Sequence, residues 1–229
     1  MDFVTNGEPQ IVPLVGNRIR SQWQRSPLEL TEQFRGFPTG VIGDAMSRLG
    51  AMSGHIRPLW AGASLHGTVL PVWVRSGDNL KIHQAIQLAA PGDVLVVNGQ
   101  GSLAHGLFGE LMATAASARG ITGLVIDGAV RDIAPLESLH FPVFGRGICP
   151  AGPSKEGTGE VGYSVACGGV VCSAGDLVIG DSDGVVIIPR EDLSDVLVRV
   201  RAIARWEDGV RGSLAGGAPF VLTEIETAL

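Results

Sequence analysis

Residues 93–127, DVLVVNGQGSLAHGLFGELMATAASARGITGLVID, decide how this chain folds. DVLVVN (93–98) is a continuous apolar run bounded by turn residues, the pattern of a strand buried on both faces. GELMATAASARG (109–120) is Ala-rich and ends on Gly120, which reads as a helix able to lie close on a sheet. ITGLVID (121–127) reads as a second strand. Two parallel strands joined by a crossover helix form a right-handed unit. Ligands of such open sheets gather outside the carboxyl ends of the strands.

The neighbouring segments extend that unit. LHGTVLPVWV (65–74) is rich in β-branched and aromatic residues and predicts a strand. After the capping residues Ser76, Asp78 and Asn79, a helix carries Leu80, His83, Ile86 and Gln87 at helical spacing and stops at Pro91-Gly92. IAPLESLH (133–140) is a short helix and FPVFGRGI (141–148) a third strand. Three loops, beginning at Asn98, Asp127 and Gly145, are then expected at one sheet edge. Upstream, residues 26–50 predict a helix in two pieces broken by Gly36 and Pro38, with Thr39 capping the second piece and Gly50 closing it. Downstream, short β runs alternate with Gly/Asp turns, DSDG (181–184) marks a hairpin, and Asp44 is read as a helix-entry residue. A closing helix over 191–206 places Leu193, Val196, Leu197, Val200 and Ile203 on one face. No linker splits the chain, so residues 1–229 are expected to form a single α/β domain.

Composition bounds the function. With 45% hydrophobic and 17% charged residues, the 229-residue chain has enough apolar material for a sizeable core. The 33 glycines, about twice average usage, imply many tight turns. A formal net charge of −6 without a Lys/Arg cluster argues against a nucleic-acid partner. No apolar run approaches the roughly 20 residues of a membrane helix and no signal pattern opens the chain, so a cytoplasmic protein without a membrane partner is expected. Cys149, Cys167 and Cys172 show no CxxC spacing and are expected to be reduced.

The chemistry concentrates behind the 121–127 strand, where Asp127, Arg131 and Asp132 follow an apolar run. Such charges are costly unless solvent, an ion pair or a ligand compensates them; the expectation is a ligand and a cation. GQGSLA (99–104) satisfies G-x-G-x-x-G/A, the outline of a dinucleotide site. The helix, however, begins only near Gly109, too far from those glycines for the fingerprint. A helix starting at Gly109, Glu110, Leu111 and Met112 offers unpaired N–H groups and a positive dipole end to a small carboxylate; equally, Glu110 is simply favourable in a first turn. Arg131 supplies a planar fork for a carboxylate, and Asp132 a hard oxygen for Mg²⁺ or Mn²⁺. A structural ion pair, for example Arg131 with Glu110, accounts for the same residues. His55, His66, His83, His105 and His140 are dispersed, without H-x-x-x-H spacing, which argues against a His-based zinc site. Ser102 and Ser154 lack a nucleophile-elbow context, and Lys155-Glu156 reads as a solvated turn.

GELMATAASARGITGLVIDGAVRD (109–132) resembles the hallmark of the RraA-like family, and KEGTGEVGYSVACGGVVCSAGDLVIGDSDGVVIIPRED (155–192) is similar to its C-terminal half. That family includes the class II 4-hydroxy-4-methyl-2-oxoglutarate / 4-carboxy-4-hydroxy-2-oxoadipate aldolases and the regulators of ribonuclease activity A. The resemblance is strongest over 30–205, with 1–25 and 206–229 as extensions. It implies a three-layer swivelling β/β/α domain assembled as a trimer or a hexamer of trimers. The aldolase motif is an acidic residue, twenty intervening residues, then Arg-Asp. Glu110, residues 111–130 and Arg131-Asp132 keep that spacing, with Glu110 where the family's aldolases typically have Asp. By that resemblance, Asp132 binds a divalent metal, Mg²⁺ or Mn²⁺. Arg131 and the amides of Gly109, Glu110, Leu111 and Met112 cradle a pyruvate carboxylate, and Glu110 orients water. The implied activity is metal-dependent retro-aldol cleavage of a 4-hydroxy-2-oxo acid to pyruvate, with oxaloacetate decarboxylation beside it. The alternative is a non-catalytic regulator that binds an RNA-degrading enzyme.

Overall fold

The structure is a computed structural model and describes residues 14–219. The helical opening is shorter than its sequence pattern. Leu28–Thr31 (α1) runs into a 3-10 turn at Glu32–Phe34, and Thr39–Ala45 (α2) follows the break at Gly36 and Pro38. Thr39 is the first residue of α2 rather than its cap. Its N–H and hydroxyl donate to the Asp181 carboxylate at 2.8 and 2.7 Å, so a hairpin far along the chain caps this helix. Gly50 does not close α2. Ser47 and Arg48 take left-handed backbone (φ 51° and 69°), and the Arg48 N–H returns to the Gly43 carbonyl at 2.8 Å, ending the helix early. Asp44 therefore sits in the last turn of α2, not at a helix entry.

The predicted β-α-β run is present. Arg57–Pro58 (β1), Leu65–Val74 (β2), Leu80–Leu88 (α3), Asp93–Asn98 (β3), Glu110–Ala118 (α4), Gly123–Val130 (β4), Ile133–Ser138 (α5) and Val143–Ile148 (β5) follow in order. Strands β2, β3, β4 and β5 are mutually parallel neighbours. The chain continues through Gly159–Val161 (β6), Val165–Cys167 (β7), Val170–Cys172 (β8), Leu177–Asp181 (β9) and Gly184–Ile188 (β10). A 3-10 turn at Arg190–Asp192 then leads into Leu193–Ala215 (α6). The sheet order is β1-β5-β4-β3-β2-β9-β10, with β6 also paired to β2, and β7–β8 form a separate hairpin.

Three layers result from where the side chains go. Along β3, Leu95 and Val97 face α3 and α4, packing with Ile82, Ala85, Met112 and Ala116. Val94 and Val96 face the opposite side and meet β7–β8 through Val165, Cys167 and Cys172. Both sides of β3 are thus dry, as its unbroken apolar run requires. The antiparallel β9–β10 pair carries the sheet round into a nearly closed, barrel-like form. Its outer face is covered by α2 and α6, where Leu193, Val196, Leu197, Val200 and Ile203 are all buried as their spacing predicts. Each such burial contributes about 1.5–3 kcal/mol, so these apolar faces rather than the few ion pairs dominate the stability.

Strand β4 runs further than the sequence implies, whereas β5 ends at Ile148 as its pattern predicts. A bulge between Ile126 and Ala129 lets β4 stay paired to Val130 and β5 to Ile148. The edge loops therefore begin after Val130 and Ile148, not at Asp127 and Gly145.

Candidate active site

The end of β4 and the start of α4 are brought together by backbone pairing. Leu107 donates its N–H to the Ala129 carbonyl and Arg131 donates its N–H to the Phe108 carbonyl, both at 2.9 Å. Residues 106–108 are thereby laid along the strand end, and Gly109, the N-cap of α4, arrives beside Arg131 and Asp132. Asp132 has left-handed backbone (φ 60°, ψ 44°), costly for a non-glycine residue. That turn aims its carboxylate at α4. The Glu110 N–H donates to Asp132 Oδ2 at 3.1 Å, and Arg131 Nε lies 3.6 Å from the same oxygen. Gly109 is extended (φ −159°), so its requirement is space: a Cβ there would collide with Asp132 Oδ2 and come within 3.1 Å of Arg131 Cγ.

Arg131 and Asp132 are 44% and 38% exposed, so a ligand can reach both. Of the two open alternatives for Arg131, the ion pair is with the adjacent Asp132, and no bond joins it to Glu110, whose side chain is exposed. The expected cradle of four amides is narrower than drawn. Glu110 gives its N–H to Asp132, and Met112 gives its N–H to the Gly109 carbonyl at 3.1 Å. Of these four, the N–H groups of Gly109 and Leu111 have no partner among the described residues. The Leu111 side chain is exposed and that of Met112 buried.

Asp127 does not join Arg131 and Asp132, contrary to the expectation of a ligand behind all three charges. Its carboxylate, almost fully buried on the other face of the sheet, forms a two-pronged ion pair with Arg146 of β5 and accepts the Gly168 N–H at 3.1 Å. An ion pair, not a ligand, compensates that charge. The partner stands nineteen residues away on the neighbouring strand, out of reach of any local pattern. The Lys155-Glu156 turn is exposed and His105 half-buried. The three cysteines are free, with Cys167 and Cys172 buried.

Among the described residues no group of three or more His, Cys, Asp or Glu side chains converges on a common point. A cation at this place would have Asp132 as its carboxylate ligand, through an Oδ1 that accepts no hydrogen bond among the described residues. Water and ligand oxygens would complete the shell. That donor set suits Mg²⁺, which is often held by one or two carboxylates plus substrate oxygens, and does not suit a structural zinc.

The nearly closed α/β sheet is a fold shared with known proteins. The chain belongs to the RraA-like (Aldolase/RraA) family, whose profile matches residues 39–187. It is 37% identical, over 77% of its length and 84% of the relative's, to a Halalkalibacterium halodurans protein named "Putative 4-hydroxy-4-methyl-2-oxoglutarate aldolase". Its fold is similar to that of an uncharacterized protein from Pseudomonas syringae pv. tomato (TM-score 0.77, 23% identity, 90% of this chain and 99% of that one). It is also similar to Streptomyces coelicolor RraAS2, described as an unusual member of the RNase ES inhibitor RraA family (TM-score 0.71, 25% identity, 82% and 98% covered).

Proposed function

We propose that this protein is a divalent-metal-dependent lyase that cleaves the C3–C4 bond of a 4-hydroxy-2-oxo di- or tricarboxylic acid to release pyruvate. The same site would decarboxylate oxaloacetate, because both reactions leave electron density on a pyruvate unit. The observation that carries the reading is the shared position of Arg131, Asp132 and the α4 N-terminus, which converge through Gly109 and remain open to solvent.

In this reading Arg131 binds and aligns the substrate's C1 carboxylate with its planar fork, helped by the free Gly109 and Leu111 N–H groups at the positive helix end. Asp132, fixed by its bond to the Glu110 N–H, holds the cation. Mg²⁺ or Mn²⁺ bound there would supply Lewis-acid stabilisation of the 2-oxo oxygen. Glu110, on an exposed first turn beside both residues, takes the proton of the C4 hydroxyl through water. The C3–C4 electron pair passes to the 2-oxo acid fragment, and the proton returns to C3 to complete pyruvate. The guanidinium of Arg131 faces the negative charge that grows on that fragment.

Mixing the protein with oxaloacetate and Mg²⁺ and following pyruvate tests the reading. Activity should vanish in Asp132→Ala and in metal-stripped protein and return when Mg²⁺ is added to the wild type; undiminished turnover without metal refutes it. The second reading, a regulator that binds an RNA-degrading enzyme, draws support from the name of the S. coelicolor neighbour. It requires no pyruvate release under any of these conditions.

A further inference from the structure

Asp78 and Asn79 stand at the start of α3, where their side chains read simply as helix caps. Asp78 does accept the Leu80 N–H at 2.9 Å through Oδ1. Its other oxygen does something else. Asp78 Oδ2 accepts the Ser154 hydroxyl and the N–H groups of Glu156 and Gly157, all at 2.7 Å. The carboxylate is 2% exposed, and Gly157 is required for this approach because a Cβ there would lie 2.6 Å from Asp78 Cγ. The next residue turns the opposite way. Asn79 Nδ2 donates to the Leu107 carbonyl at 2.9 Å and approaches Met112 Sδ at 3.4 Å. Asn79 also gives its N–H to the Ser154 carbonyl at 3.1 Å.

Both tethered segments touch the candidate site. The 149–157 segment donates the Cys149 N–H to Val130 at 2.9 Å and accepts the Gly106 N–H on Ala151 at 2.8 Å. Its Gly152 lies against Arg131, where an added Cβ would stand 3.2 Å from Nη1. The 107–112 segment is the entry to α4, whose N-terminus meets Asp132. Two walls with no sequence proximity thus close on Arg131, and two adjacent residues of a third element hold one each.

We infer that Asp78 and Asn79 are positioning residues of the site: the carboxylate of one and the amide of the other keep the 149–157 and 107–112 walls in register around Arg131. This rests on the reading of Arg131 and Asp132 as the substrate-binding pair. Neither residue touches that pair, so both act on where the substrate's carboxylate is held and not on the bond that breaks. Burial works against the Asp78 charge, yet the hydrogen bonds from Leu80, Ser154, Glu156 and Gly157 outweigh it and hold the carboxyl below its ordinary range. The joint therefore stays ionised through neutral pH.

The test uses full-length Asp78→Asn, Asn79→Ala and Ser154→Ala, with two readouts on each. Asp78→Asn presents an amide, whose NH2 cannot accept, so the four donors can no longer all be met. It should raise the KM for oxaloacetate with Mg²⁺ about tenfold while changing kcat less than about threefold, the effect of roughly one lost hydrogen bond to a charged group. Amide exchange should quicken at Glu156 and Gly157 and also at Gly106, the bond that spans the two walls. Asn79→Ala should quicken exchange at Gly106 and raise KM likewise. Ser154→Ala removes one donor from an exposed residue and should move both readouts in the same direction by less; it decides the matter if Asp78→Asn does not fold. Faster exchange at 156 and 157 alone, with KM and Gly106 unchanged, overturns the proposal. Wild-type protein that releases no pyruvate would instead sink the functional reading, and protection of Gly106 would still decide whether the joint registers the walls.

Discussion

Asp132 shows how one residue can be spent on geometry. Its left-handed backbone is unfavourable for an aspartate by about 1 kcal/mol or more, and the return is a carboxylate fixed on the Glu110 N–H with Arg131 beside it. The arrangement leaves no room at position 109. Gly109→Ala should push the Asp132 carboxylate off the helix end by the better part of an ångström. A displacement of that size costs about a hundredfold in kcat/KM when the groups position a substrate, and steady-state kinetics on oxaloacetate would show it. Because Gly109 is extended, the loss would come from crowding and not from backbone strain, so Gly109→Ser should behave no better.

At the scale of elements, β4 and the turn that follows it place their charges on two faces. Arg131 and Asp132 serve the edge beside α4, whereas Asp127 lies under β7–β8 and is neutralised by Arg146. Asp127→Asn would leave the half-buried Arg146 without its carboxylate. Thermal or urea unfolding should register a loss of about 1–3 kcal/mol, with KM nearly unchanged because the change is across the sheet from the site. Sequence pattern resolves β2 and β3 to their end residues, since alternating or continuous apolar runs and flanking turns are local signals. It misplaces the end of β4 because a bulge depends on the partner strand, which no run of residues within β4 reports.

The whole molecule carries buried titrating groups whose shifts mostly point one way on the acid side. His66 and His83 are held below their ordinary range, chiefly by burial, with Lys155 adding to the effect on His83. The unfolded chain then binds protons first, so stability falls as pH drops below about 6.5. Glu160, lowered mainly by its bond from Arg18, and Asp78 contribute stability present above the ordinary carboxyl range and lost as pH falls through about 4 and below. Asp176, raised by burial, opposes them. On the alkaline side the Cys172 thiol, pushed up to about 12 by burial, stays neutral while the unfolded thiol ionises, so stability should decline above pH 9. Unfolding midpoints across pH 3–10 should therefore trace a dome that drops in two stages toward acid. We propose that the exposed apolar side chains of Leu111, on the first turn of α4, and Ile148, at the end of β5, take part in the trimer or hexamer that the family resemblance implies. Light scattering should return about three or six times the 23.8 kDa chain mass.

The amino-acid order alone determined the β-α-β series, the 181–184 hairpin and the apolar face of α6, because each is written in spacing between residues a few positions apart. The twenty residues between Glu110 and Arg131-Asp132, through their resemblance to the RraA-like pattern, also marked the candidate site. What only the tertiary structure decided is which charge answers which. Asp127 pairs with Arg146, Asp181 caps α2, and Asp78 with Asn79 spans two loops. The physical reason is one of distance along the chain. A helix or strand is stabilised by neighbours within a turn or a pleat, whereas a buried carboxylate takes whichever donor the packed sheet brings alongside, and that depends on register, bulge and crossover settled by the whole fold.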